Sequence, residues 1–148
     1  QSIINSCSSE KDLGVTFDSD FTFDVHINTA INKANKMLGV IRRVFSFIDK
    51  ESFLNLYKSL VRPHLEYGNI IWYPFLKRQS AAIERVQRRS TKLIPELKHL
   101  SYTERLPALR LPSLKTRRIR GDLIQTFKIF RQIDDLDVNS FLLLINVT

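Results

Sequence analysis

Sulfur is almost missing from this chain, with one cysteine and one methionine in 148 residues. A lone Cys7 excludes an internal disulfide and any multi-cysteine zinc site, and it fits a reducing compartment. Glycine and proline are also scarce, at four and five residues. No glycine-rich phosphate loop, nucleophile elbow or low-complexity segment can be built from them as they are placed. The longest apolar run is Phe141 to Ile145, far too short to span a bilayer, so no membrane partner is expected. The chain opens on Gln1 with no basic segment followed by an apolar one, so no signal peptide is expected. What remains is a chain with 43% hydrophobic residues and enough length for one core. At this size about 70% of the unfolded surface is buried on folding.

Acidic residues are thin in the middle of the chain. Residues 33–120 carry 20 Lys and Arg against six acids, whereas the segments on either side are net negative. A concentrated basic middle points to a polyanion, with nucleic acid ahead of an anionic membrane surface. Nothing points to a small-molecule substrate.

Residues 11–18, KDLGVTFD, alternate Leu13, Val15 and Phe17 and predict a strand with a bulge at Gly14. Asp24 is a candidate helix cap. Ile27, Ile31, Ala34, Leu38, Ile41, Phe45 and Ile48 then form one apolar stripe at alternating spacings of four and three. Asp49 should cap a second helix that turns Phe53, Leu56, Tyr57 and Leu60 inward until Pro63 interrupts it. A short buried helix is expected over 64–73, and a basic helix over 77–94 that stops at Pro95. Ser101 and Glu104 make a capping-box pair. After Leu111-Pro112-Ser113 a last helix should face Ile119, Leu123, Phe127 and Phe130 inward. The fold class is mainly α: a compact bundle of about six helices behind a short N-terminal strand. A coiled coil is disfavoured, because no later helix sustains the heptad spacing.

Few groups could carry catalysis. His26, His64 and His99 are far apart in sequence and have no cysteine near them, so ordinary surface or capping histidines are expected. Asp18, Asp20 and Asp24 lack the glycine and terminal glutamate of a calcium loop. Asp134-Asp135 follow a helix end, without a strand pattern or a third carboxylate. Trp72, Tyr67 and Tyr73 sit among Leu65, Ile70, Ile71 and Phe75, which favours core packing over stacking on bases.

The basic helix is more informative. Arg85, Arg88, Arg89 and Lys92 recur at helical spacing, about 130° around an ideal wheel from Ile83, Val86, Ser90 and Leu93. A solvated face usually mixes signs, and only Glu84 interrupts this one, so phosphate contact is favoured. Lys115, Arg117, Arg118 and Arg120 crowd the start of the last helix, where cations oppose the helix dipole by up to about 1 kcal/mol each. An anion docked there would reverse that penalty. Arg42 and Arg43 add a third, weaker site.

Taken in order, EKDLGVTFD, INKANKMLGVIRR, LYKSLVRPHLEYGNIIWYP, IERVQRRSTKLI and LSYTERLPALRLPSLKTRRIRGDLIQTFKIF resemble the downstream part of reverse transcriptases from jockey-like non-LTR (LINE-type) retrotransposons. The resemblance covers about residues 10–140. It implies that residues 1–20 end the palm, with Leu13 and Gly14 matching a primer-grip pair. It further implies a helical thumb over 21–100 and a truncated helical extension over 101–148. The aromatic-x-Asp-Asp motif of the family lies upstream, so this chain would hold no catalytic carboxylates and no cofactor, magnesium belonging to the parent polymerase. The implied partners are an RNA/DNA hybrid or RNA template–primer, together with the palm and fingers. The implied location is intracellular, at the nuclear site of action. The competing reading is a helical protein-interaction scaffold derived from a degenerate retroelement. A sequence-specific helix-turn-helix regulator is disfavoured, since the basic helix lacks paired Asn or Gln for base edges.

Overall fold

The computed structural model describes residues 7–133. The chain enters as an antiparallel hairpin, β1 (Ser9–Asp12) and β2 (Val15–Asp18), pairing Ser9 with Asp18 and Asp12 with Val15. This corrects the single bulged strand expected over 11–18. Leu13 and Gly14 are the two turn residues, with φ of 45° and 84°. A two-residue turn with positive φ at both positions matches the twist of its strands, which a bulge would not.

Asp18 governs the next turn, accepting the Thr22 N–H at 2.7 Å and the Phe23 N–H at 2.6 Å. Those hydrogen bonds, the one from Thr22 first, hold its carboxyl below the usual range. Asp24 is therefore not the cap: Phe23 occupies that position in a left-handed conformation, and Asp24 begins helix α1 (Asp24–Val44). Ile27, Ala34, Leu38 and Ile41 are buried as the stripe requires. The helix ends before the stripe does. Phe45 turns extended and exposed, and Ile48 reaches the core from the following loop. There Asp49 opens a new helix, accepting the Glu51 and Ser52 N–H groups at 2.9 Å each.

That helix, α2 (Lys50–Leu56), does not stop at Pro63. It widens into a π turn over Tyr57–Val61 and continues as α3 (Arg62–Glu66), with the Arg62 N–H reaching back to the Tyr57 carbonyl. Phe53, Tyr57, Val61 and Leu65 are all buried, at uniform spacings of four. Regular α geometry would carry such a series about 40° around the axis at each step, and the wide turn takes up that drift. Leu60, expected inward, lies on the outer side of this turn and is exposed. The expected helix over 64–73 is also absent: the chain leaves α3 through Gly68 at φ 66°. Tyr67, Ile70 and Ile71 are exposed there, and Trp72 alone is buried, its indole N–H donating to the Tyr67 carbonyl at 2.6 Å.

Helix α4 (Lys77–Ser90) tightens through Thr91–Leu93 and gives way to a second tight turn at Pro95–Leu97. The capping box of Ser101 and Glu104 opens α5 (Tyr102–Ala108), and Ser113 caps α6 (Leu114–Phe130). Helix α6 departs most from expectation. Leu114 and Arg118 are its buried residues, whereas Ile119, Leu123, Phe127 and Phe130 are exposed. Only its first two turns rest on α4, so the apolar stripe runs past the edge of the core. The architecture is mainly α, as expected, with a hairpin in place of one strand. The Asp134-Asp135 pair and the apolar run 141–145 lie outside the described residues. Among those described, no helix is long and apolar enough to cross a membrane.

Candidate nucleic-acid interface

Helices α1 and α4 run side by side in the same direction. At their starts Arg78 Nη2 meets Asp24 Oδ2 at 2.6 Å; further along, Arg89 Nη1 donates to Asn35 Oδ1 at 3.1 Å, and both pairs are 54 residues apart in sequence. The constant separation fixes a parallel register, so the exposed faces of the two helices share one groove.

At its far end this groove opens into a cavity of about 440 Å³ lined by Arg42, Arg89, Lys92 and Lys98, with Ile41, Phe45, Leu93 and Pro95 as apolar wall. A smaller hollow of about 200 Å³ shares Arg42, Arg89 and Leu93 with it and extends to Asn35 and Gly39. Among the described residues no carboxylate lines either hollow. A Cβ at Gly39 would meet nothing within 4 Å, so the floor there is open. Nearer the start, Arg85 lines a further hollow with Arg78, Asn28 and Asp24. The positive charge therefore grows along the groove from an ion-paired beginning to an uncompensated end.

Of the four cations expected to act together on α4, the fold keeps Arg85, Arg89 and Lys92 on this groove and diverts Arg88. The Arg88 guanidinium lies over the Tyr102 ring, 5.0 Å from its centroid. Arg42 joins the groove from α1, whereas Arg43 is exposed and lines no part of it. Lys98 was not expected. It follows the Pro95–Leu97 turn, which folds back beside the end of α4, and no sequence periodicity announces that.

The second cluster, Lys115 to Arg120, is not a gathered anion site. The anion that the start of α6 calls for is Glu84. Its carboxylate accepts the Leu114 and Lys115 N–H groups at 3.3 Å each, and the Tyr102 hydroxyl also donates to it. A carboxylate at a helix N-terminus answers the dipole and two of its unpaired donors together. Arg117 is bonded to Glu66, Nε to Oε1 at 2.5 Å and Nη2 to Oε2 at 3.2 Å, which raises its pKa. Arg118 is buried, donates to Ser80 Oγ at 3.0 Å and leaves Nε and Nη1 without partners among the described residues; burial lowers its pKa. Lys115 and Arg120 face solvent.

Away from the groove, α4 is tied to its neighbours through one glutamine. Gln87, fully buried on α4, accepts from the Tyr57 hydroxyl at 2.6 Å and donates to the Tyr102 hydroxyl and the Pro112 carbonyl at 3.0 Å each. Burial pushes both tyrosine hydroxyls up, Tyr102 with help from Glu84. Sequence periodicity did not single out Gln87, because a lone glutamine on an apolar face has no pattern. Leu13 and Gly14, the primer-grip-like pair, stand at the hairpin tip, with Leu13 79% exposed. Trp72 is core, and among the described residues no group of three or more metal-ligating side chains assembles.

No family model matches the chain, and no curated protein or solved structure matches it. The likeness to reverse transcriptases accordingly stands on the quoted phrases of sequence alone.

Proposed function

We propose that this chain is the duplex-holding, thumb-like part of an RNA-directed DNA polymerase of the non-LTR retrotransposon type. It would grip the template–primer by its backbone and rely on a palm outside these residues for chemistry. The observation that carries this reading is the α1–α4 groove, where Arg42, Arg89, Lys92 and Lys98 converge without a carboxylate. Phosphate contacts fix position and carry no sequence information, and a hybrid duplex is recognised by its shape and backbone. Exposed cations along a groove suit that task.

The test is binding of several RNA/DNA hybrids at four salt concentrations. Four or five phosphate contacts give a slope of log K against log salt of roughly −3 to −5. Replacing Arg42, Arg89, Lys92 and Lys98 by Gln should flatten the slope by up to about 4 and weaken all sequences alike. Gln keeps helix propensity close to that of Arg, so the fold should persist. An unchanged slope removes the groove from the interface. The exposed stripe of α6, Ile119 to Phe130, favours the second reading, a protein-interaction scaffold. A chain that binds no hybrid at low salt would be that scaffold.

A further inference from the structure

A second concave site lies on the other side of α1. Counting 100° per residue, His26, Thr29, Ala30 and Lys33 centre about 180° from Asn35, Leu38, Gly39 and Arg42 of the groove. This pocket, about 340 Å³, lies between the hairpin, α1 and the end of α3. It brings together two histidines that are 38 positions apart, His26 and His64, and adds Lys11 from β1 and Lys33 from α1. No Asp or Glu lines it, and neither lysine has an ion-pair partner among the described residues.

His26 is the most constrained member, with only 7% of its surface exposed. Its Nδ1 accepts the Thr16 N–H at 3.3 Å, so the neutral ring carries its proton on Nε2. That Nε2–H has no partner among the described residues. With no such partner, that donor is free to bond an acceptor that enters the cavity. The far wall is firm: the Tyr67 hydroxyl donates to the Leu13 carbonyl at 2.9 Å, and a Cβ at Gly14 would lie 3.2 Å from the Tyr67 ring.

We propose that this pocket binds a phosphate monoester, with Lys11 and Lys33 supplying charge, His26 Nε2–H a directed hydrogen bond and His64 a further donor. A monoester suits the site better than an internal phosphodiester. It carries close to two negative charges near neutral pH and presents three free oxygens. It also leaves the pocket by one ester bond, whereas a diester must leave by two. Burial first, then Lys33 and Lys11, push the His26 pKa down. A dianion seated among these groups opposes both lysine charges and draws it back up. The site does not depend on the duplex grip. Its ligand is a phosphate at the end of a nucleic-acid strand or a free phosphate, and the chemistry is shared.

The experiment follows the His26 ring resonances by NMR through pH titrations of the full chain. The additions are inorganic phosphate, a 5′-phosphorylated oligonucleotide and its 5′-hydroxyl twin. The expected result is a rise of about one unit in the His26 pKa with phosphate. The double variant Lys11→Gln, Lys33→Gln should need at least about tenfold more phosphate for the same change, since two charge-assisted contacts are gone. Both lysines are exposed, so the variant should fold. A stronger response to the 5′-phosphorylated strand than to its twin assigns the strand end as source, and equal responses of the two strands with a response to phosphate assign the free anion. The variant Arg42→Gln, Arg89→Gln, Lys92→Gln, Lys98→Gln should keep the His26 response even if it loses duplex binding. No His26 response to phosphate, or one unchanged in the lysine double variant, overturns the site.

Discussion

At the scale of the residue, His26 makes the protein sensitive to mild acid. Its pKa is depressed by burial and by Lys33 and Lys11, so the folded state resists protonating it. The unfolded chain takes up the proton near pH 6.5, and the native state does so only lower. Stability from this group is therefore full above about pH 6.5 and is lost as pH falls through the folded value. Thermal melts in phosphate-free buffer from pH 8 to 5 should show the loss, and His26→Asn, which keeps an acceptor near the Thr16 N–H, should shrink it. Asp18 and Asp49 also have depressed values, but their contributions fade only in the more acidic range below the ordinary carboxylate pKa. A melt that falls equally in the Asn variant between pH 6.5 and 5 would place the sensitivity elsewhere.

At the scale of the element, the π turn between α2 and α3 gives the sharpest mutational contrast. Leu65→Ala should cost about 2–5 kcal/mol, the range for emptying a core leucine. Leu60→Ala, five positions earlier and exposed, should cost no more than about 0.5 kcal/mol. Denaturant unfolding of both variants decides the matter, and comparable losses would mean a regular helix with Leu60 inside. This turn also explains what could be read in the sequence. The stripe of α1 as far as Ile41, the Asp49 cap, the Ser101–Glu104 box and the segregated faces of α4 are local patterns, and the structure follows them. Leu60 could not be placed by a rule of 3.6 residues per turn, because the backbone leaves that period around it. Ile119 to Phe130 has the inward pattern but meets no covering surface among the described residues, since partner position is a tertiary fact. The groove was half legible: spacing identified the α4 cations, while their pairing with Arg42 and Lys98 depended on the parallel packing of α1 and α4.

At the scale of the whole molecule, Glu84 joins the basic helix to everything that follows it. Glu84→Gln removes a charge from the α6 terminus and weakens three hydrogen bonds. It should lower stability by about 1–3 kcal/mol, with Lys115 and its neighbours then opposing the dipole unanswered. Chemical denaturation measures the loss, and hydrogen exchange should show α6 opening before α1. A variant as stable as the parent would mean that Ser113 alone suffices as cap.

The Glu84 linkage also sets an order of birth. Its partners in α6, Leu114 and Lys115, lie 30 and 31 residues further along the chain. At a synthesis rate of about 5–20 residues per second, Glu84 waits roughly 2–6 s for them. Gln87, 25 residues ahead of Pro112, waits nearly as long. During that interval the basic helix leaves the ribosome, itself a polyanion, with its one internal acid not yet bonded to α6. Tyr102, 18 residues on, can reach Glu84 first, and only the arrival of α6 supplies its two backbone donors.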